Sequence, residues 1–252
     1  MKSTKMDSDQ IKKIESEMWK GPSCFDVKSQ SIADKYNNEW NDFLLKKSIK
    51  NLDLKGKRVI NVGGGNGNEA EFLIKNGVKK LLLVDIAPGQ LESAKIRIKE
   101  HKLNNLELEL GDAENLKHND KSFDICYIYL ALHHFPNHNK SISEICRVSK
   151  EVIFVDIMDA KLTKFLNLLG LFKEEWCGIE PNRLDENRVK NIFNERGMNM
   201  KIQYFFFPPY YGDNNLTLNM IKLISRYINI FMKFKLFNAL FGNVSIIKGT
   251  KK

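Results

Sequence analysis

The sequence predicts an α/β fold built on a doubly wound, mostly parallel sheet. In the central part of the chain, short apolar runs alternate with helical stretches of about 10–15 residues, which is the pattern of βαβ units. The first apolar run leads directly into a glycine cluster at 63–67, and the next two runs are each followed by an aspartate. The 252 residues, 42% of them hydrophobic, suit one α/β domain of generous size, or one domain plus a cap.

The predicted elements follow one another without an internal repeat. Helical patterns at 7–20 and 31–50 precede the sheet, and apolar residues recur on one face of each. The centre then alternates in this order: strand 58–62, helix 68–76, strand 80–84, helix 90–101, strand 106–110, strand 123–129, helix 138–149 and strand 152–156. Residues 160–187 show no clean strand, and after them come helix 186–196, strand 200–207, helix 214–241 and strand 243–248.

The positive charge is concentrated in the last third of the chain. The net charge is +9, yet residues 1–160 carry 25 basic and 24 acidic side chains, whereas residues 161–252 carry 15 and 7. No acid follows Asp213. The aromatic residues of this tail lie among aliphatic ones rather than between exposed cations, so we predict no nucleic-acid partner.

The cysteines and the termini indicate a cytoplasmic protein. The spacing of the four cysteines is not that of metal ligands, so we predict reduced thiols and no metal site. The cysteines are Cys24, Cys126, Cys146 and Cys177. The first ten residues are too polar for a signal peptide. Four cations interrupt the apolar stretch at 216–241, whereas a bilayer span needs roughly 20 nearly uncharged residues.

A ligand site is predicted at the carboxyl ends of the first three central strands. Gly63, Gly65 and Gly67 lie between a strand and a helix, where glycine permits a tight turn and close approach of backbone to a ligand. Asp85 ends the second strand and can accept hydrogen bonds from ribose hydroxyls. Asp112 follows the third strand and suits the amino edge of a base.

These motifs, in this order, resemble those of the class I S-adenosylmethionine (SAM) methyltransferases, particularly the small-molecule branch with the ubiquinone/menaquinone-type enzymes. The similarity covers residues 31–160 and, more loosely, 184–207 and 243–250. The matching segments are V-I-N-V-G-G-G-N-G, V-D-I, G-D-A-E-N-L, F-D-I-C-Y-I-Y-L-A-L-H-H-F, S-E-I-C-R-V-S-K and V-I-F-V-D. The resemblance implies seven strands, the last one antiparallel.

The resemblance also implies roles for individual residues, with SAM as the cofactor. The glycines would wrap the amino-acid end of SAM, and Asp85 would hold the ribose. The remaining cofactor contacts would come from Ile86, Asp112 and Ala113 at the adenine, and from Tyr129 and Leu130 at the methionine. The family usually has an acid where this chain has Asn61, which can accept a hydrogen bond but brings no charge toward the SAM ammonium.

A dinucleotide site and a nucleic-acid methyltransferase fit the sequence less well. The G-x-G-x-x-G fingerprint would need glycine or alanine at Asn68, and it explains neither Asp112 nor the histidine pair that follows the fourth strand. Enzymes that methylate amide or base nitrogens carry Asn/Asp-Pro-Pro-Tyr/Phe after the fourth strand. The similar segment here, F-P-P-Y at 207–210, begins with Phe207 and follows the sixth strand, so we interpret it as a strand terminator.

The candidates for chemistry are His133 and His134, just beyond the fourth strand. Histidine can act as a general base near neutral pH, although the pair could instead hold the loop by hydrogen bonds. Asp156 at the end of the fifth strand is a rival candidate, with a loop-capping role as its alternative. Tyr36 and Trp40 could cap the SAM pocket or pack in the core.

The stretch at 214–241 carries its polar residues at 219, 222, 226, 229 and 233, which form one narrow helical stripe beside a wide apolar face. Three interpretations remain open: packing against the body or a homodimer partner, an interfacial helix at a membrane, and a lid over an apolar substrate.

The sequence therefore predicts a SAM-dependent methyltransferase acting at oxygen or carbon of a small or lipid-like acceptor. A non-catalytic SAM-binding or membrane-associated protein is the alternative. We predict a helical cap at 1–50, a cofactor-binding core at 51–160 and a part with the substrate cap and the last strands at 161–252. Within it, the substrate cap would lie at 160–187, around Trp176, Glu180 and Arg183. The location would be cytoplasmic, with peripheral membrane contact through 214–241 as an option.

Overall fold

The computed structural model describes residues 6–19, 31–158, 160–162, 165, 182–208, 212 and 214–251. These residues form one seven-stranded sheet in the order β3-β2-β1-β4-β5-β7-β6. Its strands are β1 Arg58–Val62, β2 Lys80–Asp85, β3 Leu106–Leu110, β4 Phe123–Tyr129, β5 Ser149–Ile157, β6 Met198–Phe205 and β7 Val244–Lys251. The first five strands are parallel and β7 is antiparallel to both of its neighbours. The predicted seven-stranded, doubly wound fold is confirmed.

The helices cover both faces of the sheet. They are α1 Ser8–Met18, α2 Ile32–Ser48, α3 Asn68–Lys75, α4 Pro88–His101, α5 His138–Val148, α6 Glu186–Glu195, α7 Asn215–Phe231 and α8 Lys235–Phe241. Their caps follow from the sequence. Asp7, for example, accepts a hydrogen bond from the Gln10 amide while the Gln10 side chain accepts one from the Asp7 amide, a capping box that fixes the start of α1.

Two apolar clusters hold the layers together. One lies between the sheet and α2, α3 and α4, with Leu44, Leu73 and Leu91 among its members. The other lies on the opposite face, where Ile145 of α5 and Phe193 of α6 pack onto the strands. Because successive residues of a strand point to opposite faces, a strand buried on both faces is apolar throughout, as the central strands are.

Two predictions from the tail of the chain need correction. The stretch at 214–241 is two helices, because the chain turns between Phe231 and Lys235 and packs the Phe237 ring 5.2 Å from that of Phe231. The strand predicted at 200–207 runs instead from Met198 to Phe205, and the segment beginning at Phe207 follows it as expected.

Most of the predicted substrate cap at 160–187 lies outside the described residues, including Trp176 and Glu180. Cys24 and Cys177 lie outside them too, whereas Cys126 and Cys146 are buried and carry free thiols. Within the described part of the chain, no helix has both the length and the apolar character needed to cross a bilayer.

Candidate active site

The glycine loop turns sharply at the carboxyl end of β1 and lies against the end of β4. Gly63 has a φ of +66°, and a Cβ at this position would stand 2.7 Å from the Ala131 Cβ, closer than two side chains can approach. The Gly63 amide donates to the Val84 carbonyl at 2.8 Å, which ties the loop to β2. Glycine is therefore required here both by the backbone conformation and by the close contact.

Asp85 joins the glycine loop to the turn after β2. Its carboxylate accepts hydrogen bonds from the Gly65 amide at 2.8 Å and the Ala87 amide at 2.9 Å. Burial raises the pKa of Asp85, and these amides act against that rise. A carboxylate offers about four acceptor positions, so capacity remains for the hydroxyls of a ribose.

The amide of Asn61 lies beneath the glycine loop. Its Nδ2 donates to the Tyr127 carbonyl at 3.0 Å, while its Oδ1 is buried and accepts no hydrogen bond. A Cβ on Gly64 would come within 2.4 Å of that oxygen. An orphaned buried acceptor under a loop of left-handed glycines, with carboxylates beside it, fits a ligand that carries an ammonium group and hydroxyls.

Asp112 lies beside Asp85 in space, because Leu110 of β3 pairs with Asp85 and the chain then turns. One Asp112 oxygen accepts from the Glu114 amide at 2.8 Å, and the other pairs with Lys12 of α1, also at 2.8 Å. Lys12 pairs in addition with Glu114. Burial disfavours the charged ammonium, but the two carboxylates outweigh that effect and raise the pKa of Lys12.

Helix α1 therefore covers the adenine end of the predicted site. Replacing Lys12 with methionine removes its two ion pairs to the β3 turn, so we expect SAH (S-adenosylhomocysteine) to dissociate about tenfold faster, the equivalent of one charged hydrogen bond. Stopped-flow fluorescence with SAH measures this rate. Lys13→Met on the exposed side of α1 is the matched control. Equal dissociation rates in both variants would contradict a covering role.

The fourth strand ends in a strained turn. Leu130 has a φ of +48° without being glycine, and its amide donates to the Val155 carbonyl at 2.7 Å. Such left-handed backbone costs on the order of 1–3 kcal/mol and tends to occur at functional sites. The Tyr129 hydroxyl donates to Asn41 Oδ1 at 3.1 Å, and burial raises the pKa of this phenol.

A buried histidine–aspartate pair supports the next turn. His133 Nδ1 and Asp156 Oδ1 are 2.5 Å apart, and both side chains are buried. The second Asp156 oxygen accepts from the Ala131 amide at 3.1 Å and the Leu132 amide at 2.6 Å. Burial acts to raise the pKa of Asp156, but His133 outweighs it and lowers that pKa. The two rival candidates, His133 and Asp156, are therefore partners in one buried hydrogen-bonded pair.

His134 faces α1 rather than the sheet. Its Nδ1 lies 3.1 Å from Glu15 Oε1, and Trp19 approaches its ring edge-on while donating to Glu15 at 3.0 Å. Burial opposes the charge on Glu15, and the hydrogen bond to His134 outweighs it and lowers the pKa of Glu15. His134 is therefore half of a second contact that holds α1 over the site.

Several residues at the site carry no signal in the sequence motifs. Gln90 of α4 is buried beside Gly65, and Arg97 donates to the Asn66 carbonyl at 3.0 Å, so α4 supports the glycine loop from outside. His138 is buried and its Nε2 lies 2.9 Å from the Leu132 carbonyl. The spacing of Gln90 and Arg97 could have indicated that they share one face of α4. Nothing in the sequence indicated that this face contacts the glycine loop.

Tyr36 and Trp40 were predicted either to cap the SAM pocket or to pack in the core. Their described contacts are packing contacts. Both rings contact Phe207, with centroid distances of 5.6 Å and 4.9 Å. The Tyr36 hydroxyl donates to the Pro208 carbonyl at 3.2 Å. Both line a cavity of about 840 Å³ between α2, β6 and α7, away from the glycine loop.

Glu69 in the first turn of α3 has a pKa raised by burial from 4.5 to about 7. Between these values the folded protein holds a proton that the unfolded chain releases, so stability falls as the pH rises from about 4.5 to about 7. We expect Glu69→Gln to increase the free energy of unfolding by about 3 kcal/mol at alkaline pH and to leave it unchanged in acid. Urea denaturation at both pH values measures this, with Glu92→Gln, at an exposed position of α4, as control. A gain of equal size at both pH values would contradict it.

Comparison with known proteins agrees with this geometry. Residues 60–152 match the family model described as a methyltransferase domain. A phthiotriol/phenolphthiotriol dimycocerosates methyltransferase of Mycobacterium tuberculosis is 33% identical over 107 residues, which are 42% of this chain and 38% of that protein. The chain thus spans about two fifths of the length of that relative.

Solved structures share the whole fold at low sequence identity. Geranyl diphosphate C-methyltransferase from Streptomyces coelicolor, in complex with Mg²⁺, geranyl diphosphate and SAH, gives a TM-score of 0.68 at 9% identity over 96% of this chain and 98% of that one. Magnesium protoporphyrin IX methyltransferase from Synechocystis, with bound SAH, gives 0.66 at 14% identity over 96% and 100%. Residues 60–152 therefore match a methyltransferase domain, and the chain shares the fold of these solved methyltransferases.

Proposed function

We propose that this protein is a SAM-dependent methyltransferase that acts on a small or lipid-like acceptor. The observation that carries the proposal is the joining of the glycine loop to Asp85, with Asp112 at the end of the neighbouring strand. The matched methyltransferase domain spans the same residues. SAM, when bound, would supply a methyl group already activated on a sulfonium.

The chain's own residues would position that cofactor. The backbone of Gly63, Gly65 and Gly67 would follow its amino-acid end, above the Asn61 oxygen that lacks a partner. Asp85 would bind the ribose hydroxyls. The other contacts would be Ile86, Asp112 and Ala113 at the adenine, and Tyr129 and Leu130 beside the methionine. Positioning of this kind contributes about 7–11 kcal/mol in well-oriented reactions.

Of the two candidate histidines, His133 is the better placed to act as a base. Asp156 holds its Nδ1, which would fix the ring orientation and stabilise an imidazolium formed when the ring takes up a proton. His134 is engaged by Glu15 and would hold α1 in place. A base is needed for a hydroxyl acceptor, where it typically adds ~10²–10⁴-fold.

The acceptor class rests on the composition of the tail and on the relatives. Apolar and basic residues after Asp213 suit an apolar or anionic acceptor better than a cationic one. One similar protein is named for dimycocerosates of phthiotriol, and one solved structure with the same fold is named for geranyl diphosphate. Both names denote lipid-like molecules. We propose that residues 161–252 contain the acceptor cap, and that the methyl group goes to oxygen or carbon.

The test is transfer of labelled methyl from SAM into a lipid extract and a polar extract of cells. We expect label in the organic phase with the wild type, and about a hundredfold less with Asp85→Ala at a SAM concentration well below Kd. Label in neither phase from a chain that binds SAH would contradict catalysis and favour the alternative, a non-catalytic SAM-binding protein. Label in the polar phase alone would contradict the lipid-like acceptor.

A further inference from the structure

Exposed apolar side chains are concentrated on α7 and α8. Nine of the fourteen large hydrophobic residues that are exposed in the described part of the chain lie between Leu216 and Leu236. Leu223, Ile224, Tyr227 and Ile230 at the centre of this surface are 51–59% exposed. Single exposed apolar residues are ordinary, but a contiguous apolar surface marks a site of interaction. We call this surface the apolar face.

Among the described residues, nothing covers the apolar face, because α7 is attached to them by its other side. Leu218, Ser225 and Met232, spaced by seven residues, are the buried residues of α7 and the turn after it. Asn229 donates to the Phe206 carbonyl at 2.9 Å, and Lys222 pairs with Glu39 of α2 at 2.7 Å. The polar stripe is thus partly turned toward the body at Lys222 and Asn229, and the apolar residues are turned outward.

All the charged side chains of α7, α8 and the turn between them are cationic. Arg226, Lys233 and Lys235 are exposed and pair with no carboxylate among the described residues. No acid follows Asp213 in the sequence. A second copy of this chain would bring the same cations together across a two-fold interface, which is unfavourable. An anionic membrane surface complements both the apolar side chains and the charges.

We propose that α7 and α8 dock this protein on an anionic membrane surface through the apolar face. Helix α7 begins at Asn215, after the carboxyl end of β6, and β6 runs parallel to β5, so α7 starts from the same edge of the sheet as the glycine loop. Docking would then bring a lipid-like acceptor to the site from the bilayer. This last consequence rests on the proposed function, whereas the docking itself does not.

Sedimentation with vesicles tests the docking on the full chain. We expect the wild type to sediment with vesicles of equal parts phosphatidylcholine and phosphatidylglycerol, and much less with phosphatidylcholine alone. Ile224→Asp/Ile230→Asp should weaken binding at least tenfold, because an acid must enter the apolar layer. Arg226→Gln/Lys233→Gln should weaken it about 25-fold, from about fivefold for each cation lost.

Matched variants separate this surface from general effects. Ile96→Asp replaces a residue of α4 that is as exposed as Ile230, and Lys79→Gln/Lys99→Gln removes two exposed cations elsewhere; both should bind like the wild type. Wild type that stays in the supernatant with anionic vesicles would overturn the proposal. A second outcome would also overturn it: the wild type is a dimer in analytical ultracentrifugation and binds no vesicles, and Ile224→Asp/Ile230→Asp converts this dimer to a monomer.

SAH titration of the same variants keeps the two proposals apart. We expect all of them to bind SAH like the wild type, because the apolar face lies outside the cofactor site. If the wild type sediments with vesicles but binds no SAH, docking stands and the proposed function fails. If it binds SAH and transfers methyl but never sediments with anionic vesicles, the docking proposal fails alone.

Discussion

Asp85→Ala is expected to weaken SAH binding about a hundredfold. In the proposed complex the carboxylate accepts two hydrogen bonds from ribose hydroxyls, and hydrogen bonds to charged groups contribute about 1.5–3 kcal/mol each. The loss of about 3 kcal/mol corresponds to somewhat more than a hundredfold in Kd. Removal of Asp85 also releases the Gly65 amide, so the glycine loop loses one of its supports. Isothermal titration calorimetry measures the change.

Asp124→Ala is the control for that variant. Asp124 also bridges strands, since it accepts from the Arg58 amide at 2.9 Å and pairs with Lys150 at 2.8 Å, but it does so at the amino end of β1. It should lower stability modestly and leave the affinity for SAH unchanged. Equal affinities of Asp85→Ala and wild type would remove the ribose role from Asp85.

Asp156→Ala is expected to lower the free energy of unfolding by about 3–5 kcal/mol, the usual effect of breaking a buried charged pair. The substitution removes the Asp156 carboxylate from His133 and from the Ala131 and Leu132 amides, which donate to it. For a chain of this size the melting temperature should fall by about 10 °C. Urea denaturation and calorimetry measure both quantities.

The stabilisation that Asp156 contributes depends on pH. The pKa of Asp156 is lower in the folded protein than in the unfolded chain, so its stabilisation is present above the unfolded value and disappears as the pH falls through the folded one. The difference between wild type and Asp156→Ala should therefore be full at neutral pH and shrink in acid. Asp156→Asn, which keeps the shape, should lose less stability. A loss below 1 kcal/mol for alanine at neutral pH would contradict the pairing.

The sheet and its ligand-binding edge were predictable because they follow from local patterns. Apolar runs at regular spacing define β1 to β5, and parallel strands bring their carboxyl ends to one edge whatever the details of the helices. Asp85 and Asp112 could thus be placed together from the sequence. The antiparallel last strand, by contrast, was implied by family resemblance and not by any pattern in residues 243–250.

Contacts between distant segments escaped prediction. Lys12 meets Asp112 across 100 residues of sequence, and Glu15 meets His134 across 119, with no motif to join them. The break between α7 and α8 contains neither proline nor glycine, so helical periodicity ran through it. The hydrophobic pattern of α7 indicated an amphipathic helix, but which side faced the body depended on the contacts of Asn229 with Phe206, just after β6, and of Lys222 with Glu39 of α2.

A crystal structure of the chain with SAH tests the central claim most directly. We expect one SAH per chain at the carboxyl ends of β1 to β4, with its amino acid along Gly63–Gly67, its ribose at Asp85 and its adenine beside Asp112. SAH bound elsewhere, or a site that stays empty at saturating SAH while Asp85 keeps only its backbone partners, would contradict the account.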